Sequence, residues 1–123
     1  MIHSKKRVLI VEDDLALTDV LSNKLQLKGY DVSTAPDGQV AVDLLEREIY
    51  GIVLLDLTMP WFDGFHVLER LKGKEFTTPI IVMSNLAGTE DISRAKSLGA
   101  VDYIVKTSVT PEMIVTEIEK YLK

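Results

Sequence analysis

Four short apolar runs in this chain each stop at a polar residue, and the stretches between them carry apolar residues at helical spacing. Val8-Leu9-Ile10-Val11 leads to Asp13 and Asp14, and Ile52-Val53-Leu54-Leu55 runs into Asp56. Ile80-Ile81-Val82-Met83 runs into Ser84, and Tyr103-Ile104-Val105 into Lys106. Apolar runs this short, bounded by polar residues and rich in β-branched side chains, read as strands buried on both faces. If they lie parallel in one sheet, their terminal polar residues gather along one edge. Three carboxylates then share a small space with one ammonium. Like charges that close are costly unless a cation joins them, so the pattern points to a divalent metal and to phosphate chemistry at a carboxylate.

The intervening stretches complete the alternation. Leu17, Val20, Leu21 and Leu25 define a helix face that Gly29 ends. Tyr30–Thr34 alternates like a strand nearer an edge. Asp37 caps a helix whose apolar face is Val40, Ala41, Leu44 and Leu45. Ile52–Leu55, the most apolar run, belongs at the centre of the sheet. Met59-Pro60 opens a loop before a stripe of Val67, Leu68 and Leu71. Pro79–Met83 is a strand, Asp91–Leu98 a short helix ending at Gly99, and Asp102–Val105 the last strand. Thr110-Pro111 starts the closing helix, with proline at its first position and Ile114, Ile118 and Leu122 on its face. Five strand–helix units of this kind predict an α/β domain over 1–123, a doubly wound parallel sheet with helices on both faces. Ligands in such sheets bind beyond the carboxyl ends of the strands.

Composition narrows the function. The 123 residues suit one domain, and 46% hydrophobic content supports a sizeable core. A net charge of −5 and the lack of a basic stripe argue against direct nucleic-acid binding. Without cysteine there are no disulfides and no thiolate catalysis. Lys5-Lys6-Arg7 precedes a run too short for a signal peptide, and no segment nears the roughly 20 apolar residues of a membrane span. A soluble, cytoplasmic setting is expected, with no membrane association.

Asp56 is the candidate nucleophile, because a carboxylate attacks phosphorus and holds an acyl phosphate. Asp13 and Asp14 suit Mg2+, a hard cation that takes oxygen ligands and keeps several waters. The competing reading for this pair is a helix N-terminus, where acids are favoured. Glu12 is expected to point away from the pair, since adjacent strand residues face opposite sides. Lys106 suits pairing with a phosphoryl oxygen, and Ser84 a hydrogen bond to the same group. Trp61 reads as a surface aromatic, and His3 and His66 lack metal spacing.

At these residues the chain resembles the receiver domain of bacterial two-component response regulators, over Arg7 to Leu122. The most specific stretch is Leu54-Leu55-Asp56-Leu57-Thr58-Met59-Pro60 followed by Asp63-Gly64. Val11-Glu12-Asp13-Asp14 resembles the family's acidic pair, and Leu98-Gly99-Ala100, Asp102-Tyr103 and Lys106 its last strand. The resemblance implies a flavodoxin-like (βα)5 fold with strand order 2-1-3-4-5. It implies that Asp56 accepts a phosphoryl group from the histidine of a sensor kinase or phosphotransfer protein. Asp14 and Asp56 would ligate Mg2+ directly, Thr58 through its carbonyl, and Asp13 through water. Ser84 and Lys106 would bind the phosphoryl oxygens, and Tyr103 would turn inward as Ser84 moves. The surface around the fourth helix, last strand and last helix would signal to a downstream target or output domain, from a monomer or a weak phosphorylation-dependent dimer. On this reading the domain is no enzyme in its own right, promoting only its own phosphorylation and dephosphorylation.

Three positions depart from the family's pattern. Lys106 is followed by Thr107 where proline is usual, often after a cis bond, so a trans loop is expected. Asn85 replaces a small residue after Ser84. Thr58 and Leu86, at positions that tune hydrolysis, carry no charge to position a water, so slow autodephosphorylation is expected. Other classes fit less well. An aspartyl-phosphate phosphatase often carries a second aspartate two positions after the nucleophile, and Thr58 stands there. A flavodoxin-like cofactor binder needs a glycine- and hydroxyl-rich loop where Asp13-Asp14 would repel phosphate. A receiver-like scaffold that is never phosphorylated leaves the acidic set unexplained.

Overall fold

The computed structural model describes residues 6–59, 63–72, 74 and 76–122. Its strands are β1 (Arg7–Val11), β2 (Asp31–Ala35), β3 (Ile52–Asp56), β4 (Ile80–Ser84) and β5 (Asp102–Val105). Its helices are α1 (Leu15–Leu27), α2 (Gly38–Arg47), α3 (Gly64–Lys72), α4 (Thr89–Ser97) and α5 (Pro111–Lys120). All neighbouring strands are parallel, in the order β2-β1-β3-β4-β5. β3 is central, and every residue of β3 and β4 is buried. The unbroken apolar runs arise because both faces of these strands are covered.

Leu21 and Leu25 of α1 and Ile114, Val115 and Ile118 of α5 pack on Val8, Ile10, Ile52, Leu54, Ile81 and Met83. Ala41 and Val42 of α2, Val67 and Leu68 of α3, and Ala95 of α4 pack on the opposite face with Leu9, Val11, Val53, Leu55 and Val82. Full burial of each such branched side chain contributes about 1.5–3 kcal/mol. α2 departs from the expected stripe: Val42 is buried and Val40 lies at the exposed margin. α4 buries Ala95 alone, in keeping with its weak amphipathic pattern.

The punctuation follows the chemistry. Asp37 accepts from Val40 N (2.9 Å) and Thr110 Oγ1 from Met113 N (3.2 Å), capping α2 and α5. Gly29 and Gly99 stop α1 and α4 at φ +93° and +112°, a region that glycine enters without strain. Gly64 has a different reason. A Cβ there would lie 2.4 Å from the Asp56 carbonyl oxygen and 2.7 Å from Leu57 Cα, so only glycine lets α3 start against the end of β3. Among the described residues every peptide bond is trans, including Lys106–Thr107, and Lys106–Ser108 forms a single 3-10 turn. No described helix is long and apolar enough to cross a membrane. His3, Pro60 and Trp61 lie outside the described residues.

Candidate functional site

The register of the strands decides which polar groups meet. Val11 pairs with Leu55, Asp56 with Met83, and Ser84 with Val105. Asp56, Ser84 and Lys106 therefore end three neighbouring strands at the same edge. Asp56 is 1% exposed and Ser84 fully buried. Asp56 Oδ1 accepts the Thr58 N–H at 3.1 Å, an Asx turn that fixes the carboxylate and brings the Thr58 backbone beside it. Asp56 Oδ2 faces Lys106 Nζ at 3.2 Å.

The acidic group is Glu12, Asp13 and Asp56, whose carboxylate oxygens lie within 4.8 Å of one another. This corrects the sequence reading twice. Glu12, expected to turn away, is 1% exposed and pairs with Lys106 Nζ at 2.6 Å. The reason is register: Glu12 stands one position past Val11, as Asp56 stands one past Leu55, so the two occupy the same row and face. Asp14, expected as a direct metal ligand, is not in the group. Its Oδ1 accepts from Ala16 N (3.0 Å) and Leu17 N (3.3 Å), which spends the carboxylate as the N-cap of α1. The helix-terminus reading holds for Asp14. The order Asp14-Leu15-Ala16-Leu17, an acid ahead of a helical stripe, carried that signal in the sequence.

The carboxylates are costly as they stand. Burial pushes Glu12 above its ordinary range, against the pull of Lys106. Asp13 is exposed, yet partial desolvation at the site raises it too, and Glu12 beside it raises it further. For Lys106, burial alone would lower the ammonium, but Glu12 and Asp56 outweigh it and hold it above its usual value. Lys106 is the one ammonium shared by the buried Glu12 and Asp56 carboxylates. Carboxylates crowded around one ammonium form a group of hard oxygen donors that fits Mg2+.

On the other side of the edge, Ser84 Oγ accepts the Leu86 N–H at 3.0 Å and lies 3.3 Å from Thr58 Oγ1. The half-buried Tyr103 donates its hydroxyl to the Leu86 carbonyl at 2.8 Å. His66 pairs with Asp63 at the surface, 3.2 Å away and apart from the acidic group.

Residues 8–119 match the family model for the response regulator receiver domain. The chain belongs to that family. This receiver domain is 39% identical over 102 residues to a probable transcriptional regulator, ycf27, of Porphyridium aerugineum, covering 83% of this chain and 42% of that protein. It is 37% identical over 108 residues to the cell cycle response regulator CtrA of Brucella ovis, covering 88% of this chain and 47% of that protein. The chain thus spans less than half the length of these curated relatives. The solved receiver domain of the Francisella response regulator 1452 aligns with a TM-score of 0.87 at 27% identity, covering 94% of this chain and 95% of that one. A CheY-like receiver domain from Methanospirillum hungatei aligns with a TM-score of 0.87 at 28% identity, covering 94% and 92%. The expected strand order 2-1-3-4-5 is the observed one.

Proposed function

We propose that this receiver domain accepts a phosphoryl group on Asp56 in a Mg2+-dependent reaction, and that the acyl phosphate redirects Ser84 and Tyr103 to signal onward. The observation that carries this reading is Asp56 itself: buried, held by the Thr58 N–H, and joined to Lys106, Glu12 and Asp13. A carboxylate oxygen of Asp56 attacks phosphorus. The P–O bond forms as the P–N bond of the donor phosphohistidine breaks, and its electron pair stays on the imidazole. The Thr58 N–H orients the acceptor. Lys106, already at Asp56 Oδ2, meets the oxygens of the arriving group and offsets their charge. Glu12, Asp13 and Asp56, with the Thr58 carbonyl, would hold Mg2+, which when bound would supply the positive charge that three carboxylates and a phosphoryl group require.

Two hydrogen bonds to a charged group, from Ser84 and Lys106, offer roughly 3–6 kcal/mol. Inverting a 1:99 equilibrium takes about 5.5 kcal/mol. The pair is sufficient to bias a switch with little surplus, so Ser84→Ala weakens signalling more than phosphorylation. Phosphoryl lifetime is long, since neither Thr58 nor Leu86 positions a water. The domain turns over no separate substrate. Its donor is a sensor histidine kinase or phosphotransfer protein, and the setting is cytoplasmic. The surface of α4, β5 and α5 carries the signal to an output domain or partner, as suits relatives named as probable transcriptional regulators.

Intact-mass measurement after treatment with a small phosphodonor tests the reading. One phosphoryl group adds to the wild type in Mg2+, none in chelator, and none to Asp56→Asn. An adduct that persists in EDTA or in Asp56→Asn overturns it.

A further inference from the structure

Thr58 contacts both the acceptor and the switch hydroxyl. Its N–H donates to Asp56 Oδ1 at 3.1 Å, and its side-chain hydroxyl lies 3.3 Å from Ser84 Oγ. Ser84 is fully buried, so its hydroxyl has no water to fall back on. The oxygen accepts the Leu86 N–H at 3.0 Å, which leaves the Thr58 hydroxyl facing it as a further partner. A buried polar group stripped of its partner is penalised. Thr58 therefore lowers the energy of the arrangement in which Ser84 stays where it is.

We propose that Thr58 is a positioning residue that holds Ser84 in the unphosphorylated arrangement, so that Ser84 must leave the Thr58 hydroxyl to reach a phosphoryl group on Asp56. This inference rests on the receiver reading above and adds to it a brake on the switch. The contact exists only before the switch, so losing it favours the switched state. At 3.3 Å the oxygen–oxygen separation is longer than the usual 2.5–3.0 Å for hydroxyl pairs, which puts the contact at the weak end of neutral hydrogen bonds. The corresponding effect on the equilibrium is about two- to fivefold. Thr58 is exposed apart from this contact, so the isosteric Thr58→Val leaves the core untouched.

The test is calorimetric titration with beryllofluoride, a phosphoryl mimic, in Mg2+. Beryllofluoride activation is reported for the DrrB receiver domain, a structural relative at TM-score 0.80 and 27% identity. Thr58→Val binds beryllofluoride about two- to fivefold more tightly than wild type, whereas Thr58→Ser, which keeps the hydroxyl, matches wild type. In a Ser84→Ala background Thr58→Val changes nothing, because the group it holds is gone. A merely structural role for Thr58 would shift affinity equally in both backgrounds, and that result overturns the proposal. So does a Thr58→Val protein that binds no more tightly than a wild type that does bind. A wild type that takes up no beryllofluoride at all overturns the receiver reading itself.

Discussion

Glu12 and Glu48 are the same residue at opposite ends of the sheet, and their surroundings push them in opposite directions. At the amino edge Arg7 pairs with Glu48, lies 3.9 Å from Asp31 and stacks over the Tyr50 ring at 4.7 Å. The hydrogen bond from Arg7 holds Glu48 below the ordinary carboxylate range, where the Glu48 side chain is open to water. At the carboxyl edge Lys106 faces three carboxylates, and burial holds Glu12 above that range. The amino edge is a balanced surface pair that modestly stabilises the fold. The carboxyl edge is an unbalanced buried one that the fold tolerates, and perturbed carboxylates gathered in that way mark sites of function.

The largest effect expected from breaking this contrast is on chemistry. Asp56→Asn abolishes labelling by a phosphodonor, while Arg7→Met leaves it unchanged; intact mass reads both. Next comes stability. Lys106→Met leaves Glu12 and Asp56 buried without their cation, and breaking such a pair costs about 3–5 kcal/mol. Lys106 is itself partly exposed, so the lower figure is expected in urea unfolding with chelator present, with part of the loss regained in Mg2+. Arg7→Met costs far less and ignores Mg2+. A smaller effect of opposite sign follows from Asp13. Its raised folded-state pKa means that its charge opposes folding at neutral pH. Asp13 is exposed, so solvent screens most of that cost; Asp13→Asn therefore raises the metal-free Tm only slightly, and it loses the further gain that Mg2+ gives the wild type.

The smallest effect is the pH dependence of the amino edge. Glu48 is depressed when folded, so its contribution is fully present above the ordinary value of 4.5 and is lost as pH falls through the lower folded value. Glu48→Gln loses that contribution at pH 7 and flattens the fall of stability in the acid window. An equal slope in both proteins would remove Glu48 from the account.

The same contrast explains what could be read in the chain. The apolar runs gave strand and helix order, and register then brought Asp56, Ser84 and Lys106 together as their places at strand ends required. Glu12 takes the place expected of Asp14 because alternation between Glu12 and its neighbour does not fix which of them faces Asp56. Face depends on pairing with the next strand, which the chain leaves implicit, and Val11 opposite Leu55 supplies it. Asp14 could be placed only once the start of α1 was known, since a carboxylate that caps a helix is the same residue type as one that waits for a metal. Val42 replaced Val40 on α2 because one residue of rotation is within the tolerance of a short helical stripe.

Gly64 carries a last consequence. Because even a methyl group there would collide with the carbonyl of Asp56, the position is closed to every other amino acid unless the acceptor is displaced. In a saturation library selected for labelling, that codon should return glycine alone, while Gly88, where an added carbon meets only the Asp91 side chain at 3.2 Å, tolerates replacement.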